Sequence, residues 1–286
     1  MKLESIMRLF PTPAQEADLR GLYMEHRLHT RGTADRPYVY SNFITSLDGR
    51  IAIADATHAS HQVPGSITNP RDWRLYQELA GQADILVTSG RYFRQSSIGE
   101  AQDTLPVGQQ ADFEDIRQWR LGQGLTPQPD IAILSASLDI PPASLAPYRH
   151  RNVIVVTGNA AEPDKVSLLE NEGVRVIAAG NGHHADGERM IEQLAAAGYR
   201  SIYAIAGSAV FHTLVSSNML DRLYLTLACQ LLGGRDIDTL LYGDLLDPAT
   251  SMSLVSLYHD PHAPEGGQLF GIFDTAAVSH TAPGRD

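Results

Sequence analysis

Short apolar runs alternate along most of the chain with segments whose apolar residues recur every three or four positions. The short runs are typical of buried strands, and the longer spacing is typical of helices. We predict strands at 38–45, 85–87, 131–134, 153–157, 174–178 and 202–206. We predict helices at 69–82, 113–121, 165–172, 188–197 and 208–217. This alternation indicates an α/β fold with a mostly parallel central sheet flanked by helices.

The C-terminal part of the chain has a different pattern, because no comparable helix separates its strands. Apolar runs predict strands at 223–227, 253–258 and 269–273, which we interpret as antiparallel strands at one end of the sheet. We therefore expect one α/β domain at 37–274, preceded by an N-terminal arm at 1–36 and followed by a tail at 275–286.

Three segments outside these strands and helices have weaker patterns. The polar arm predicts at most one short helix, at 14–26. Residues 51–66 are small and polar, so we expect a loop there. The Gln-, Gly- and Pro-rich stretch at 95–129 holds at most the helix at 113–121, and it could be a lid or a dimer contact.

The composition is that of an ordinary globular protein and disfavours several classes of partner. The 286 residues are 43% hydrophobic and 19% charged, with a net charge of −11, which argues against nucleic acid and anionic membrane. The single cysteine, Cys229, excludes an internal disulfide and a Cys-based zinc site, and its apolar neighbours predict a small buried side chain. No signal peptide or membrane-length apolar run is present, so we expect a cytoplasmic protein.

A glycine turn follows the predicted strand at 202–206, where a ligand of an open α/β sheet would lie. Gly207 leads through small residues into the helix at 208–217. Exposed N–H groups at a helix start suit a phosphate, and the missing side chain would let a pyrophosphate approach. The alternative is that Gly207 only makes a tight turn between strand and helix.

Two further strand ends have polar residues suited to a ligand. Thr88 and Ser89 precede Arg91, and hydroxyls with a guanidinium form a good pocket for a terminal phosphate, although a single loop arginine is commonly just solvated. Ser46 and Asp48 follow the strand at 38–45, where they could hydrogen-bond a heterocycle or simply cap a turn.

Several other motifs favour loops over binding sites. The Gly-Asn-Gly segment at 180–182 lacks the third glycine of a dinucleotide fingerprint, so we interpret it as a surface loop. Two histidine pairs have a spacing that a metal could use, but neither has a Cys or carboxylate partner in a fixed helical register, and we predict no metal site. These pairs are His58 with His61, and His259 with His262.

Six segments, in this order and spacing, resemble the C-terminal reductase domain of the bifunctional riboflavin-biosynthesis deaminase/reductase and its stand-alone relatives. They include Ser-Leu-Asp-Gly-Arg-Ile-Ala at 46–52 and Val-Thr-Ser-Gly at 87–90. The full set is 37–52, 67–69, 83–90, 202–211, 218–225 and 230–234. Together they span nearly the whole chain apart from the arm and the tail.

This resemblance implies a dihydrofolate-reductase-like fold, NADPH as hydride donor, a small-molecule substrate and, usually, a homodimer. In the family the Ser-Leu-Asp-Gly segment lies at the substrate and nicotinamide, which makes Asp48, Ser46 and Asn42 the catalytic candidates. The candidates for binding the cofactor are Ala52, Thr88, Ser89, Gly90, Arg91, Thr157, Gly207, Ser208, Ala209, Val210 and Phe211. Arg91 would face the adenosine 2′-phosphate and select NADPH over NADH.

The chain departs from the family at charged positions that hold the substrate and its ribose phosphate. Ala206 precedes Gly207 where the family has a Glu, and Leu79 replaces an Arg late in the helix at 69–82. The Asp-Asp-Pro segment and following Arg of the family are replaced by residues 94–98, and the zinc-binding deaminase half is absent. These losses weaken phosphate recognition, so the sequence predicts the cofactor better than the substrate.

The predicted activity is hydride transfer from NADPH to an electron-poor C=N or C=O carbon, with Asp48 orienting the substrate or relaying a proton. Three alternatives stay open. The first is a pterin, dihydrofolate or other carbonyl reductase on the same fold. The second is a non-catalytic NADPH sensor. The third is an unrelated nucleotide-binding transferase, which the strand-rich C-terminus disfavours.

Overall fold

The computed structural model describes residues 5–54, 60–101 and 103–276, and a mixed sheet runs through this part of the chain. Its strands are β1 (Ile6–Phe10), β2 (Gln15–Ala17), β3 (Tyr38–Ser46), β4 (Arg50–Ile53), β5 (Ile85–Ser89), β6 (Asp130–Leu134), β7 (Val153–Thr157), β8 (Arg175–Ala178), β9 (Ser201–Ala204), β10 (Arg222–Ala228), β11 (Ile237–Thr239), β12 (Met252–Asp260) and β13 (Gln268–Thr275). The α-helices are α1 (Pro70–Ala80), α2 (Gly90–Ser97), α3 (Glu114–Gly122), α4 (Pro142–Leu145), α5 (Pro163–Asn171), α6 (Gly187–Ala196) and α7 (Ser208–Ser216).

Eleven of the described strands form one sheet in the order β2-β1-β12-β13-β10-β3-β9-β5-β6-β7-β8. From β10 to β8 every neighbouring pair is parallel. From β10 to β2 every pair is antiparallel, so β10 joins the two halves. The predicted α/β fold class, a mostly parallel sheet flanked by helices with antiparallel strands at one end, is confirmed.

The two faces of the sheet bury separate clusters because successive side chains of a strand point to opposite sides. On one face, Tyr40 of β3 packs with Leu75 and Leu79 of α1, and its hydroxyl donates to the Leu79 carbonyl at 2.9 Å. On the other face, Val39 packs with Leu214 of α7. The helices α1, α2, α3 and α5 contribute to the first face, and α6 and α7 to the second.

The start of α1 agrees with the helix predicted at 69–82, and its capping residues explain where it begins. The side chain of Asn69 accepts hydrogen bonds from the amides of Arg71 and Asp72, both at 3.0 Å, and Pro70 is the first helical residue. This cap satisfies two of the unpaired N–H groups at the helix start.

The predicted helix at 14–26 in the arm is wrong. Residues 15–17 form β2, and only a 3₁₀ turn at Met24–His26 is helical. The arm instead extends the sheet, because β1 pairs with β12, and its backbone binds α1 through hydrogen bonds from Gly21 and Tyr23 to Glu78. The arm pairs with a sheet edge and satisfies a buried carboxylate, and these contacts stabilise it more than its weak local helix preference would.

Two predicted loops contain regular structure. The loop at 51–66 begins within β4, which pairs with β11 in a separate two-stranded sheet. The strand end at 88–91 leads directly into α2, an unpredicted helix that reaches Ser97 within the stretch at 95–129. Cys229 follows β10 and is half-buried, so its predicted full burial is wrong.

Candidate functional site

The connections after β9 and β5 leave the sheet in opposite directions. From β9 the chain passes through α7 to β10 on one side, and from β5 it passes through α2 to β6 on the other. Such a reversal opens a crevice at the carboxyl ends of the two strands, where open α/β sheets bind ligands. The strands are neighbours, and the amide of Ile205 donates to the carbonyl of Val87 at 2.9 Å. The predicted segments 88–91 and 207–211 therefore lie side by side.

Both helices that begin at this crevice start without a side-chain cap. Ser89 precedes α2 and Gly207 precedes α7. At neither position does a capping side chain accept a hydrogen bond from the first N–H groups of the helix. A Cβ placed on Gly207 would meet no described atom within 4 Å, so open space lies in front of α7. Two uncapped helix N-termini beside open space favour an anion.

Gly90 is required for close packing at the start of α2. A Cβ on Gly90 would lie 2.9 Å from Oγ of Ser135 and 3.3 Å from the guanidinium of Arg94. Within α7, Ala209 is exposed, whereas Val210 and Phe211 point into the core and the Phe211 ring packs on Phe43 at 4.9 Å. The amides of Val210 and Phe211 both donate to the carbonyl of Gly207, at 3.1 and 3.2 Å, so these two residues already use their N–H groups within the protein.

Thr157 ends β7 at the same edge of the sheet and has a buried hydroxyl. Its side chain is 1% exposed, and Oγ1 has no hydrogen-bond partner among the described residues. Leaving a buried hydroxyl unpaired costs free energy, which a polar ligand at this edge would remove. β6 separates β7 from β5, so Thr157 lies at the same edge of the sheet as the two helix starts but not directly beside them.

Arg91 already has partners within the protein. Its guanidinium lies 3.7 Å from a carboxylate oxygen of Asp238 and donates to the carbonyl of His61 at 3.3 Å, with 47% of the side chain exposed. The ring of His61 contacts Asp238 and Asp236, each at 3.0 Å, and these carboxylates raise its pKa. A phosphate bound to Arg91 would therefore take the place of the Asp238 carboxylate beside the guanidinium.

His61 is consequently not the solvated loop histidine that its sequence context predicted. Its carboxylate partners come from the segment at 236–238, far along the chain. His58 lies outside the described residues. The described residues contain no group of His, Cys, Asp and Glu side chains arranged to hold a metal ion.

The turn after β3 binds the segment at 230–234 through Asp48. One carboxylate oxygen accepts from the Ser46 hydroxyl at 2.5 Å and from the Leu232 amide at 3.2 Å, and the other accepts from the Gly233 amide at 2.7 Å. The hydrogen bond from Ser46, followed by those of the two amides, lowers the pKa of Asp48 to about 2. Asp48 is therefore ionised at neutral pH and holds two loops together.

On the α1 face of the sheet beside this turn, we infer a cleft from the partial exposure of two side chains of β3. Asn42 and Ile44 belong to a strand with neighbours on both sides, yet both are only half-buried. The hydroxyl of Tyr203 on β9 donates to Oδ1 of Asn42, which fixes the amide and leaves its N–H groups for another partner. Ala52 lies nearby in sequence on β4, buried and opposite Asp238 of β11.

Sequence reasoning missed Asp72, a carboxylate in the first turn of α1. Its Oδ1 accepts from the hydroxyl of Thr226 on β10 at 2.6 Å, and it is 9% exposed. Burial raises its pKa to about 6, against the smaller opposite effect of Thr226. Its spacing from Leu75 and Leu79, on the sheet-facing side of α1, was the signal that could have identified it.

A sequence model of the RibD C-terminal domain matches residues 37–262. The chain belongs to the RibD C-terminal domain family. The predicted family and the predicted class, a reductase of riboflavin biosynthesis, are thereby confirmed. A nicotinamide cofactor fits a reductase of this family.

Two archaeal relatives of this RibD-type chain are named 2,5-diamino-6-ribosylamino-4(3H)-pyrimidinone 5′-phosphate reductase. The protein from Methanothermobacter thermautotrophicus is 22% identical over 212 residues, covering 74% of this chain and 87% of the relative. The protein from Archaeoglobus fulgidus is 24% identical over 210 residues, covering 73% and 88%. Among solved structures, a pyrimidine reductase-like protein from Corynebacterium diphtheriae has the same fold, with a TM-score of 0.62, 21% identity, and coverage of 84% of this chain and 92% of its own.

Proposed function

We propose that this RibD-type protein is an NADPH-dependent reductase that binds the dinucleotide phosphates in the crevice between β9 and β5. The observation that supports this most directly is the convergence of two uncapped helix starts, α2 and α7, on open space at Gly207. The unpartnered hydroxyl of Thr157 lies at the same edge. Ser89, Gly90, Ser208 and Ala209 would supply backbone N–H groups, and Thr88 lies between them at the end of β5.

The cleft over β3 would hold the substrate next to the nicotinamide. When bound, the dihydronicotinamide supplies a hydride to an electron-poor C=N or C=O carbon. Asn42 would donate its free amide N–H groups to the substrate, and Ser46 would hold the turn that separates substrate from cofactor. Asp48 would act as a positioning residue, because its carboxylate is ionised and bound to the backbone of Leu232 and Gly233.

The proposed substrate is an aminopyrimidine or a closely related heterocycle. Two archaeal relatives are named for an aminopyrimidinone ribosyl phosphate. The cleft offers hydrogen-bonding groups at Asn42 and Asp72, which suit a polar ring. A cytoplasmic homodimer, which the family resemblance implies, stays a prediction. None of the described helices is long and apolar enough to cross a membrane.

The proposal is tested by calorimetry with NADPH and NADH, followed by the Arg91→Ala variant. We expect saturable NADPH binding, and a rise in the NADPH KM of about tenfold or more in the variant with NADH use nearly unchanged. Arg149→Ala is the matched control, because Arg149 is exposed, precedes β7 at the amino ends of the parallel strands, and pairs with Glu172. Equal effects on both cofactors would refute the role of Arg91, and no NADPH binding at millimolar concentration would refute the reductase. Binding without oxidation of NADPH by any aminopyrimidine or dihydropterin would support the sensor instead.

A further inference from the structure

Asp72 occupies a position where the spacing of apolar residues in α1 predicts an apolar side chain. It precedes Leu75 by three residues and Leu79 by seven, so all three lie on the stripe that faces the sheet. Leu75 and Leu79 are fully buried in the core, and Asp72 is almost as buried one turn closer to the carboxyl edge of the sheet. A carboxyl group in such a stripe costs stability unless it has a partner that compensates its burial.

The protein does not give Asp72 a cationic partner within the described residues. The adjacent Arg71 pairs with Asp260 at 2.6 Å. Arg74 pairs with Glu78 at 2.8 Å and with Asp115 at 2.6 Å. The hydroxyl of Thr226 is the one hydrogen-bond donor that the described structure directs to the Asp72 carboxyl, and it binds Oδ1. Oδ2 therefore has room for a donor from outside the chain, and a carboxylate accepts up to four hydrogen bonds.

The strand register places this carboxyl group at the cleft. Thr226 on β10 lies directly opposite Ile44 on β3, two residues from Asn42 on the same face. Ile44 and Asn42 are the half-buried residues from which the cleft is inferred. Asp72 binds Thr226, the residue opposite Ile44, so we place its carboxyl group beside these two residues.

We propose that Asp72 determines which substrate this cleft accepts, by receiving two adjacent N–H donors of a heterocycle such as the ring N–H and amino group of a 2-aminopyrimidinone. The two donors lie in one plane and match the two oxygens of a carboxyl group, as in other bidentate pairs. This inference rests on the proposed function, because it assigns the substrate end of the same cleft. A ring with a carbonyl in place of the amino group would direct an acceptor at Asp72 and be rejected.

Isocytosine and uracil test this directly, because they differ at position 2 of the ring, where isocytosine has an amino group and uracil a carbonyl. The full-length protein is first saturated with NADP⁺, and each compound is then titrated by ligand-observed NMR. We expect isocytosine to bind about tenfold or more tightly than uracil. Failure of NADP⁺ to saturate would refute the proposed function. Saturation by NADP⁺ with equal affinity for the two rings would refute the role of Asp72 alone.

The Asp72→Asn variant separates recognition from structure. Its amide keeps the size of the side chain and an acceptor for Thr226, but it directs a donor at the ligand. We expect the preference for isocytosine to disappear while NADP⁺ affinity is unchanged. A variant that folds, binds NADP⁺ and still prefers isocytosine would overturn the proposal. If the variant does not fold, the comparison of the two rings in the unaltered protein still decides.

Discussion

Replacing Gly207 by alanine should raise the stability of the protein and lower its affinity for NADPH. The backbone at Gly207 has φ −68° and ψ −176°, which any residue adopts, and a Cβ there would meet no described atom within 4 Å. Alanine at a compatible glycine position stabilises a protein by about 0.4–1 kcal/mol, chiefly by restricting the unfolded chain. For a protein of this size we expect Tm to rise by about 1–4 °C.

The same methyl group would occupy the space where we place the dinucleotide phosphates. It would hold a phosphate away from the N–H groups at the start of α7, which need contact near 3 Å, about the length of a hydrogen bond. Losing one or two charge-assisted hydrogen bonds costs about 1.5–3 kcal/mol each, so NADPH affinity should fall by about tenfold to a hundredfold or more. A rise in stability together with a fall in NADPH affinity would distinguish a blocked phosphate site from general damage to the fold, which would lower both.

Gly122→Ala is the matched control for this experiment. Gly122 is the last residue of α3, and a Cβ there would likewise meet no described atom within 4 Å. We expect this variant to gain stability with unchanged NADPH affinity. Thermal melts and calorimetry with NADPH measure both quantities. A Gly207→Ala protein that keeps wild-type affinity would show that the phosphates lie elsewhere.

Two further predictions concern carboxylates of the cleft. Asp48→Asn removes the charge that holds the Leu232 and Gly233 amides, so we expect faster hydrogen exchange at those amides and a lower kcat. Asp236→Asn is the control, because the Asp236 carboxylate binds His61, and it should leave the exchange of those amides unchanged. Slow exchange in Asp48→Asn would contradict the positioning role. Burial raises the pKa of Asp72 to about 6, so the folded state binds the Asp72 proton more tightly than the unfolded chain does. The contribution of Asp72 to the free energy of unfolding therefore falls as pH rises from about 4 to about 6. Asp72→Asn should therefore gain up to about 3 kcal/mol relative to wild type at pH 7 but little at pH 4, and equal gains in denaturant unfolding at both pH values would contradict the raised pKa.

Sequence signals located the two strand ends at the crevice, because the groups proposed to bind the cofactor there are backbone groups. A short apolar run followed by a glycine and a helical pattern locates such an end without knowledge of distant contacts, as at Gly207. Local signals also located the start of α1, where Asn69 caps the helix before Pro70. Periodicity alone does not say which strands are neighbours, so the pairing of β9 with β5 is known only from the structure.

The elements that sequence reasoning missed depend on partners far along the chain. Part of the arm forms a strand because β1 pairs with the edge of β12. The sequence of the arm itself contains no signal for this distant partner. His61 obtains its carboxylates from Asp236 and Asp238 in the segment that includes β11, a strand of only three residues. Local patterns of such short polar strands are too weak to separate them from loops.

The two halves of the candidate site differ in the kind of group that builds them, so the sequence favours a cofactor more strongly than it favours a substrate. The proposed phosphate site consists mainly of N–H groups, which persist when side chains change, so a chain can depart from its family here and keep the same class of ligand. The substrate cleft consists of side chains on β3, α1 and β10, and one substitution changes what it accepts. Ala206 stands where the resembling family has a Glu, while Asp72 brings a carboxylate to the cleft from α1 and is fixed by Thr226, 154 residues away. If Asp72 replaces the lost carboxylate, the substrate must present its donors from the α1 side, so restoring a Glu at position 206 should not rescue Asp72→Asn.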